Sequence, residues 1–165
     1  MSQKDSSKAN TGNTLKAVLD TNILYSGLLY EGLESDLLEL GHCMMVRLYV
    51  SEYVLDELAG VFERKGLPTA AAEQIISYYR ITVISNEENR KNGKYRQYLA
   101  ESKRYIHDPK DRPVYVFAKT LMEGDETTYL VTGDKDLLDE RVKKALGDRV
   151  LRTNELMKKI IRADI

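Results

Sequence analysis

The sequence predicts an α/β fold in which helices cover both faces of a mostly parallel sheet. Short apolar runs alternate with longer segments whose apolar residues recur at helical spacing, and this alternation is typical of strands joined by crossover helices. The first apolar run, residues 17–19, stops abruptly at Asp20, and a helical pattern begins directly after it. Because neither a repeat nor a linker interrupts the alternation, we expect one folded unit.

The composition bounds the kind of protein that carries this fold. The chain has 165 residues and a formal net charge of -1, so no global field indicates a nucleic-acid or membrane partner. Cys43 is the only cysteine, which excludes an internal disulfide and favours a reducing, cytoplasmic location. No stretch approaches the length of a membrane span. Residues 1–14 are polar and predict a disordered tail, so the domain is expected over residues 15–165.

The pattern assigns five strands and the helices between them. Strands are predicted at residues 17–19, 44–50, 81–84, 129–132 and 150–152. Helices are predicted at residues 23–40 (in two pieces, broken at Gly27 and Gly32), 52–64, 70–79, 85–105, 113–121, 137–146 and 155–161.

The ends of these helices are indicated by residues that complete or interrupt helical hydrogen bonding. Ser51, Thr69 and Asn154 are positioned as N-caps, and Gly41 is positioned as a helix stop. Pro113 suits a first helical turn, so we expect Asp111 at or next to the start of that helix.

The segment 85–105 is polar and rich in basic residues, and it carries Tyr95, Tyr98 and Tyr105. The simpler interpretation of any one of these charges is a solvated helical face. The functional interpretation is a basic wall beside an acidic site, with the tyrosines available to stack on nucleic-acid bases.

Carboxylates recur where the predicted strands end or the helices begin. They are Asp20, Glu57, Asp111, Asp134 and Asp136. The carboxyl ends of parallel strands lie on one edge of a sheet, where open α/β proteins bind their ligands. Carboxylates gathered there would repel one another without a cation, and Mg²⁺ takes oxygen ligands of this kind. A metal held in this way can activate a water and neutralise charge on a phosphodiester.

These acids do not carry equal weight. A single aspartate at a strand-to-helix turn usually caps the helix. For Asp108 and Asp136, such a structural role is at least as well supported as a direct one. Asp20 and Asp134 each follow an apolar strand directly, and this repeated feature favours a functional role for the pair.

Other chemistries find less support in the sequence. His42 and His107 lack metal-ligand spacing, and Cys43 is better read as a core or exposed residue than as a nucleophile. No phosphate-binding loop or nucleophile elbow is present. Asn22 and Thr132 are interpreted as turn residues that also hold carboxylates or waters in position.

Four segments together resemble the successive motifs of the PIN-domain family. They are VLDTNIL at 18–24, SEYVLDEL at 51–58, DPKDRPVYVFA at 108–118 and YLVTGDKDLL at 129–138. Their order and spacing match, and the resemblance spans roughly residues 15–153.

The resemblance implies a Rossmann-like, three-layer α/β/α sandwich and a nuclease that depends on Mg²⁺ or Mn²⁺ and usually acts on RNA. Many members of the family are similar to the toxin halves of toxin–antitoxin pairs, so an antitoxin protein joins RNA as an expected partner. A second copy of the chain is a further candidate partner, for which the sequence gives no direct signal. Carried over by motif, the catalytic and metal-site acids are Asp20, Glu57, Asp111 and Asp134, with Asp136 as an additional metal ligand.

The resulting hypothesis is a metal-dependent endoribonuclease. Its rival is a PIN-fold module that binds RNA or protein without cutting, against which the complete set of acids argues. A receiver-type domain phosphorylated on Asp20 is a weaker alternative, because Asn22 stands where such a site needs a second acid.

Overall fold

A computed structural model of the chain describes residues 14–163. The predicted tail therefore lies outside the described residues, except for Thr14. Within them, five parallel strands form one sheet in the order β3-β2-β1-β4-β5. The strands are β1 (Lys16–Leu19), β2 (Arg47–Ser51), β3 (Thr82–Ile84), β4 (Thr128–Val131) and β5 (Val150–Leu151).

Helices flank this sheet, and the predicted α/β fold is confirmed as a PIN-like three-layer arrangement. The helices are α1 (Thr21–Leu29), α2 (Leu33–His42), α3 (Glu52–Arg64), α4 (Ala70–Tyr78), α5 (Asn86–Arg90), α6 (Tyr95–Tyr105), α7 (Arg112–Met122), α8 (Glu140–Ala145) and α9 (Thr153–Ala163). None of the helices in the described part of the chain has the length and apolar character needed to cross a bilayer.

The strand order brings the ends of β1 and β4 together at one edge of the sheet. The chain builds outward from β1 through β2 to β3, and then returns to add β4 on the other side of β1. The carboxyl ends of β1 and β4 therefore lie side by side at the point where the strand order reverses. Ala17, Leu19 and Leu130 are completely buried, as expected for parallel strands covered on both faces.

Two glycines serve close packing rather than helix termination. Gly27 lies inside α1, where an added Cβ would come within 2.7 Å of Leu38 Cδ1. Gly41 lies inside α2, where an added Cβ would collide with Leu48. The expected break at Gly27 and the expected stop at Gly41 are therefore wrong, because these residues make room for neighbouring side chains and keep the helical backbone.

Several predicted boundaries shift for local reasons. Strand β2 begins at Arg47 rather than at residue 44, because Met44 takes a positive φ of 64° and is exposed. Leu137 and Leu138 lie in a turn before α8 rather than in the helix. Helix α9 begins at Thr153, so Asn154 is inside the helix and is not its cap.

The expected caps met different outcomes. The Ser51 hydroxyl accepts a hydrogen bond from the Val54 backbone N–H at 3.2 Å, so this N-cap is confirmed. Thr69 precedes α4 but makes no side-chain capping bond. Asp111 is the N-cap residue of α7, as expected from Pro113.

The basic segment 85–105 forms α5 and α6, and its central tyrosine is not available for base stacking. Tyr98 is only 5% exposed, and its hydroxyl donates to Glu123. Lys119 of α7 lies over the Tyr98 ring and donates to Glu101 at 2.5 Å, which fastens α6 to α7. The expectation that Tyr98 stacks on bases is therefore wrong, because its ring and hydroxyl belong to the packing of α6 on α7.

Candidate active site

Asp20 stands at the junction of the two central strands. Its backbone N–H donates to the Val131 carbonyl at 3.2 Å, which extends the pairing of β1 with β4 by one residue. Its side chain caps α1 by accepting from the Thr21 N–H at 2.7 Å. The second carboxylate oxygen accepts from the Thr132 hydroxyl at 2.8 Å, and the residue is 5% exposed. Asp20 is therefore held from both strand ends in one orientation.

Thr132 connects Asp20 to the acids that follow β4. Its buried hydroxyl accepts a hydrogen bond from the Asp134 backbone N–H at 3.0 Å while it donates to Asp20. The Asp134 carboxylate in turn accepts from the Asp136 N–H at 2.8 Å. The interpretation of Thr132 as a residue that holds carboxylates in position is confirmed.

Glu57 reaches the same place from α3. The Thr21 hydroxyl donates to Glu57 Oε1 at 2.8 Å, so the residue after Asp20 orients this second acid. Helix α3 packs against α1, and its cap at Ser51 starts it directly from the end of β2. Glu57 is thus presented beside the β1 terminus although 36 residues separate it from Thr21.

Asp111 has an unusual environment for an N-cap residue. It is 8% exposed, its side chain makes no capping bond, and its Oδ2 atom is buried without a hydrogen-bond partner among the described residues. Buried carboxylate oxygens are normally paired, so an unpaired one requires a partner from outside the protein or a retained proton. This atom is open to a ligand that enters the site.

Asp108 and Asp136 join Asp111 in a cluster. Each of the three offers a carboxylate oxygen, and these atoms lie within 4.8 Å of one another. The sequence supported a turn role for Asp108 at least as well as a direct one; the structure shows the turn bond, and a direct role stays a prediction. Its Oδ1 accepts from the Lys110 N–H at 3.0 Å, and it also faces the cluster. Its position three residues before Asp111 was the sequence signal.

An open cavity of about 490 Å³ collects the predicted acids. Its charged lining residues are Asp20, Asp56, Glu57, Arg64, Asp108, Lys110, Asp111 and Asp134. Four of the five predicted site residues therefore line one cavity. Asp136 is not among the lining residues, but its carboxylate lies in the cluster with Asp111. Sequence reasoning missed Asp56, Arg64 and Lys110 as residues of this cavity. Arg64 could have been found from its position seven residues after Glu57, on the same helix face.

Comparison with known families decides the membership of the chain. A family model described as "PIN domain" matches residues 16–136, which is more than half of the chain. The chain belongs to the PIN-domain family. A search of curated proteins finds no significant match.

PIN domains are generally nucleases. In this PIN domain, the pKa values of two site acids are raised, as expected where carboxylates lie close together without a cation. Burial, followed by the charges of Asp134, Asp20, Asp108 and Asp136, raises the pKa of Asp111 to about 7. Burial also raises the pKa of Asp20 above its usual value, opposed by the hydrogen bonds from Thr132 and Thr21. Holding these acids together in the ionised form is therefore costly without a positive charge.

The donor atoms of the PIN-domain site fit a hard divalent cation. Among the described residues that line the cavity, none is a histidine or cysteine, so the available charged ligands are carboxylate oxygens. Mg²⁺ and Mn²⁺ prefer such oxygens, whereas softer ions prefer nitrogen and sulfur. The unpaired Asp111 oxygen and the three-acid cluster supply ligands that a cation could use.

Proposed function

We propose that this PIN domain is a metal-dependent endoribonuclease, with Asp20, Glu57, Asp111 and Asp134 as its catalytic residues. The observation that carries the proposal is the buried, unpaired Asp111 oxygen in a cavity that these four acids line together. Asp20, Glu57, Asp111, Asp134 and Asp136 would hold Mg²⁺ or Mn²⁺, directly or through water, and Asp108 is added by the cluster.

The residues divide the reaction between them. A bound cation would supply a Lewis acid at the phosphodiester and favour ionisation of a water. Asp20, Asp111 and Asp134 would hold the cation, directly or through water, and so offset the repulsion between the acidic cavity and the scissile phosphate. Glu57, oriented by the Thr21 hydroxyl, would align the attacking water and accept its proton. The water oxygen would bond to phosphorus, the bond between phosphorus and the 3′ oxygen would break, and the leaving oxygen would take a proton from solvent water.

The products would be a 3′-hydroxyl and a 5′-phosphate. This chemistry does not use the 2′-hydroxyl, so the mechanism itself permits DNA as well as RNA. RNA is proposed because the family resemblance favours it. On the same ground, the protein would act as the toxin of a toxin–antitoxin pair, with an antitoxin protein as its partner. The single cysteine favours the cytoplasm, and a second copy of the chain is proposed as a further partner.

The test compares cutting with binding. The parent protein and the nearly isosteric Asp20→Asn variant are incubated with single-stranded RNA and Mg²⁺ or Mn²⁺, with EDTA as the metal-free reference. Asp36→Asn is the matched control, because Asp36 is an exposed aspartate on α2 outside the cavity lining. We expect the parent and Asp36→Asn to cut, and Asp20→Asn to bind RNA without cutting.

Two other outcomes are informative. If the parent binds RNA as Asp20→Asn does and neither cuts a broad set of RNAs, the non-catalytic binding module replaces the nuclease. If expression of the parent arrests growth of a host while expression of Asp20→Asn does not, the toxin role gains support.

A further inference from the structure

Helix α3 carries a continuous face along the acidic cavity. Glu57, Gly60, Val61 and Arg64 all line it. Their spacing of three, four and seven residues places them on one side of the helix. At 1.5 Å per residue, Arg64 stands about 10 Å along the axis from Glu57. The helix therefore carries an acidic residue, Glu57, and a basic residue, Arg64, along the wall of one cavity.

Gly60 lies in the interior of this helix without a packing reason. Glycine destabilises a helix interior relative to alanine, so its presence there calls for an explanation. An added Cβ at Gly60 would meet only the flexible end of Arg64, with Nη1 at 3.5 Å. By contrast, a Cβ at Gly27 or Gly41 would collide with a core leucine. The space over Gly60 is open and belongs to the cavity.

Arg64 is the second distinctive residue of this face. It is exposed in the last turn of α3, and its guanidinium lies near Gly60. Within residues 14–163 it forms no ion pair, although six carboxylates line the same cavity. A guanidinium binds a phosphate through paired hydrogen bonds. Arg64 is thus available to an anionic ligand that enters the cavity.

We propose that a single-stranded RNA backbone lies along α3, with a sugar–phosphate unit next to the scissile bond over Gly60 and its phosphate on Arg64. The proposal rests on the proposed function, because it takes the scissile phosphate to lie at the acids. Gly60 admits the backbone by lacking a side chain. Arg64 offsets the repulsion between the flanking phosphate and the acidic wall. This contact is independent of base identity.

The first test concerns Arg64. Binding of a short single-stranded RNA of mixed sequence is measured by anisotropy over a range of salt concentrations, in the Asp20→Asn background so that cleavage does not interfere. Arg64→Gln should weaken binding and lower the salt slope by about one. Arg64→Lys should restore most of the slope but less of the affinity, because it keeps the charge and loses the paired hydrogen bonds.

Lys65→Gln is the matched control for Arg64→Gln. Lys65 is the next residue of the chain, but its ammonium lies over the Tyr25 ring and it is outside the cavity lining. We expect this variant to keep the affinity and salt slope of its background. An equal loss of RNA affinity in both variants would mean that Arg64 acts only through the overall charge of the protein. That result would overturn the specific contact between Arg64 and a phosphate.

The second test concerns Gly60, and it separates stability from binding. Gly60→Ala should raise the thermal unfolding midpoint by about 2–4 °C, since alanine is the better helix former and the site is open. Gly60→Leu should fold with at least the stability of the parent, yet weaken RNA binding by about tenfold, because its side chain fills the backbone position. A Gly60→Leu variant that binds as the parent does would overturn the proposal.

The outcomes also separate this proposal from the nuclease proposal. If the parent cuts RNA but the Arg64 and Gly60 substitutions leave RNA binding unchanged relative to their background, the proposed RNA path along α3 is wrong and the nuclease stands. If RNA binding depends on Arg64 and Gly60 but the parent cuts RNA with neither Mg²⁺ nor Mn²⁺, the nuclease proposal is wrong and the proposed RNA path along α3 stands. Absence of RNA binding by the parent overturns both.

Discussion

The Thr132 hydroxyl donates to the Asp20 carboxylate at 2.8 Å across 112 positions of sequence. The same hydroxyl accepts the Asp134 N–H at 3.0 Å. One buried oxygen therefore ties together the acids that terminate β1 and β4. This hydroxyl therefore links the Asp20 carboxylate to the backbone of Asp134, beside the bonds that Asp20 makes with Thr21 and Val131.

Replacing Thr132 by valine should destabilise the protein. Valine keeps the shape but leaves a buried Asp20 oxygen without its donor and the Asp134 N–H without its acceptor. We expect the free energy of unfolding to fall by about 1–3 kcal/mol in metal-free buffer at neutral pH. Urea denaturation measures this, with Thr132→Ser as the matched control that keeps the hydroxyl. A loss of stability in Thr132→Ser with none in Thr132→Val would mean that the methyl group, rather than the hydroxyl, matters.

The stability of the metal-free protein should fall as the pH rises from about 4 to about 7. The pKa of Asp111 is raised from 3.8 to about 7, so in this window the folded state binds more protons than the unfolded state. The expected slope is at most about 1.4 kcal/mol per pH unit for this group. Asp111→Asn should flatten the profile, whereas Asp36→Asn should not. A parent profile that rises across this window in EDTA would contradict the assignment.

Mg²⁺ or Mn²⁺ should stabilise the folded state by mass action. A free metal concentration one hundred times the dissociation constant corresponds to about 2.7 kcal/mol. Asp134→Asn removes one carboxylate from the cavity and should shrink the metal-induced shift in thermal midpoint, while Asp36→Asn should leave it unchanged. Equal shifts in the parent and Asp134→Asn would show that Asp134 does not contribute to the metal site.

Asp20→Asn and Asp111→Asn should each abolish RNA cleavage, and the double variant should be little worse than either. Groups that act as one unit in a reaction are not additive. Each single substitution relieves repulsion in the cavity, so stability in EDTA at neutral pH should hold or rise. Single-turnover cleavage and thermal unfolding measure the two effects. Independent, multiplying losses would indicate separate roles for the two residues.

The basic segment remains a separate prediction for RNA contact. Neutralising Lys91, Lys94 and Arg96 together should weaken RNA binding and flatten its salt dependence, because fewer counterions are released. These residues are exposed, and Lys94 also lies 3.6 Å from Glu123. Comparing this triple variant with Arg64→Gln separates contact on the outer surface from contact in the cavity. An unchanged salt slope would mean that residues 85–105 form a solvated helical face that does not contact RNA.

The sequence by itself determined the fold class and the edge of the sheet that carries the acids. Apolar runs that end at Asp20 and just before Asp134 report buried strands and their termini, because burial on both faces leaves an uninterrupted local pattern. The Ser51 cap and the helix start at Asp111 are equally local, since they depend on residues within one helical turn.

Only the tertiary structure decided what lies next to what. The sequence predicts a helix stop at Gly41, but the structure shows that Leu48 packs against this glycine. The sequence predicts base stacking by Tyr98, but the structure shows its hydroxyl donating to Glu123. Asp136 joins Asp108 and Asp111 in one cluster, and α3 forms one wall of the cavity, through the packing of segments far apart in the chain. Periodicity reports which face of an element is buried. It does not report which atom of a distant segment fills the space beside it, and that space determines how each polar residue is used.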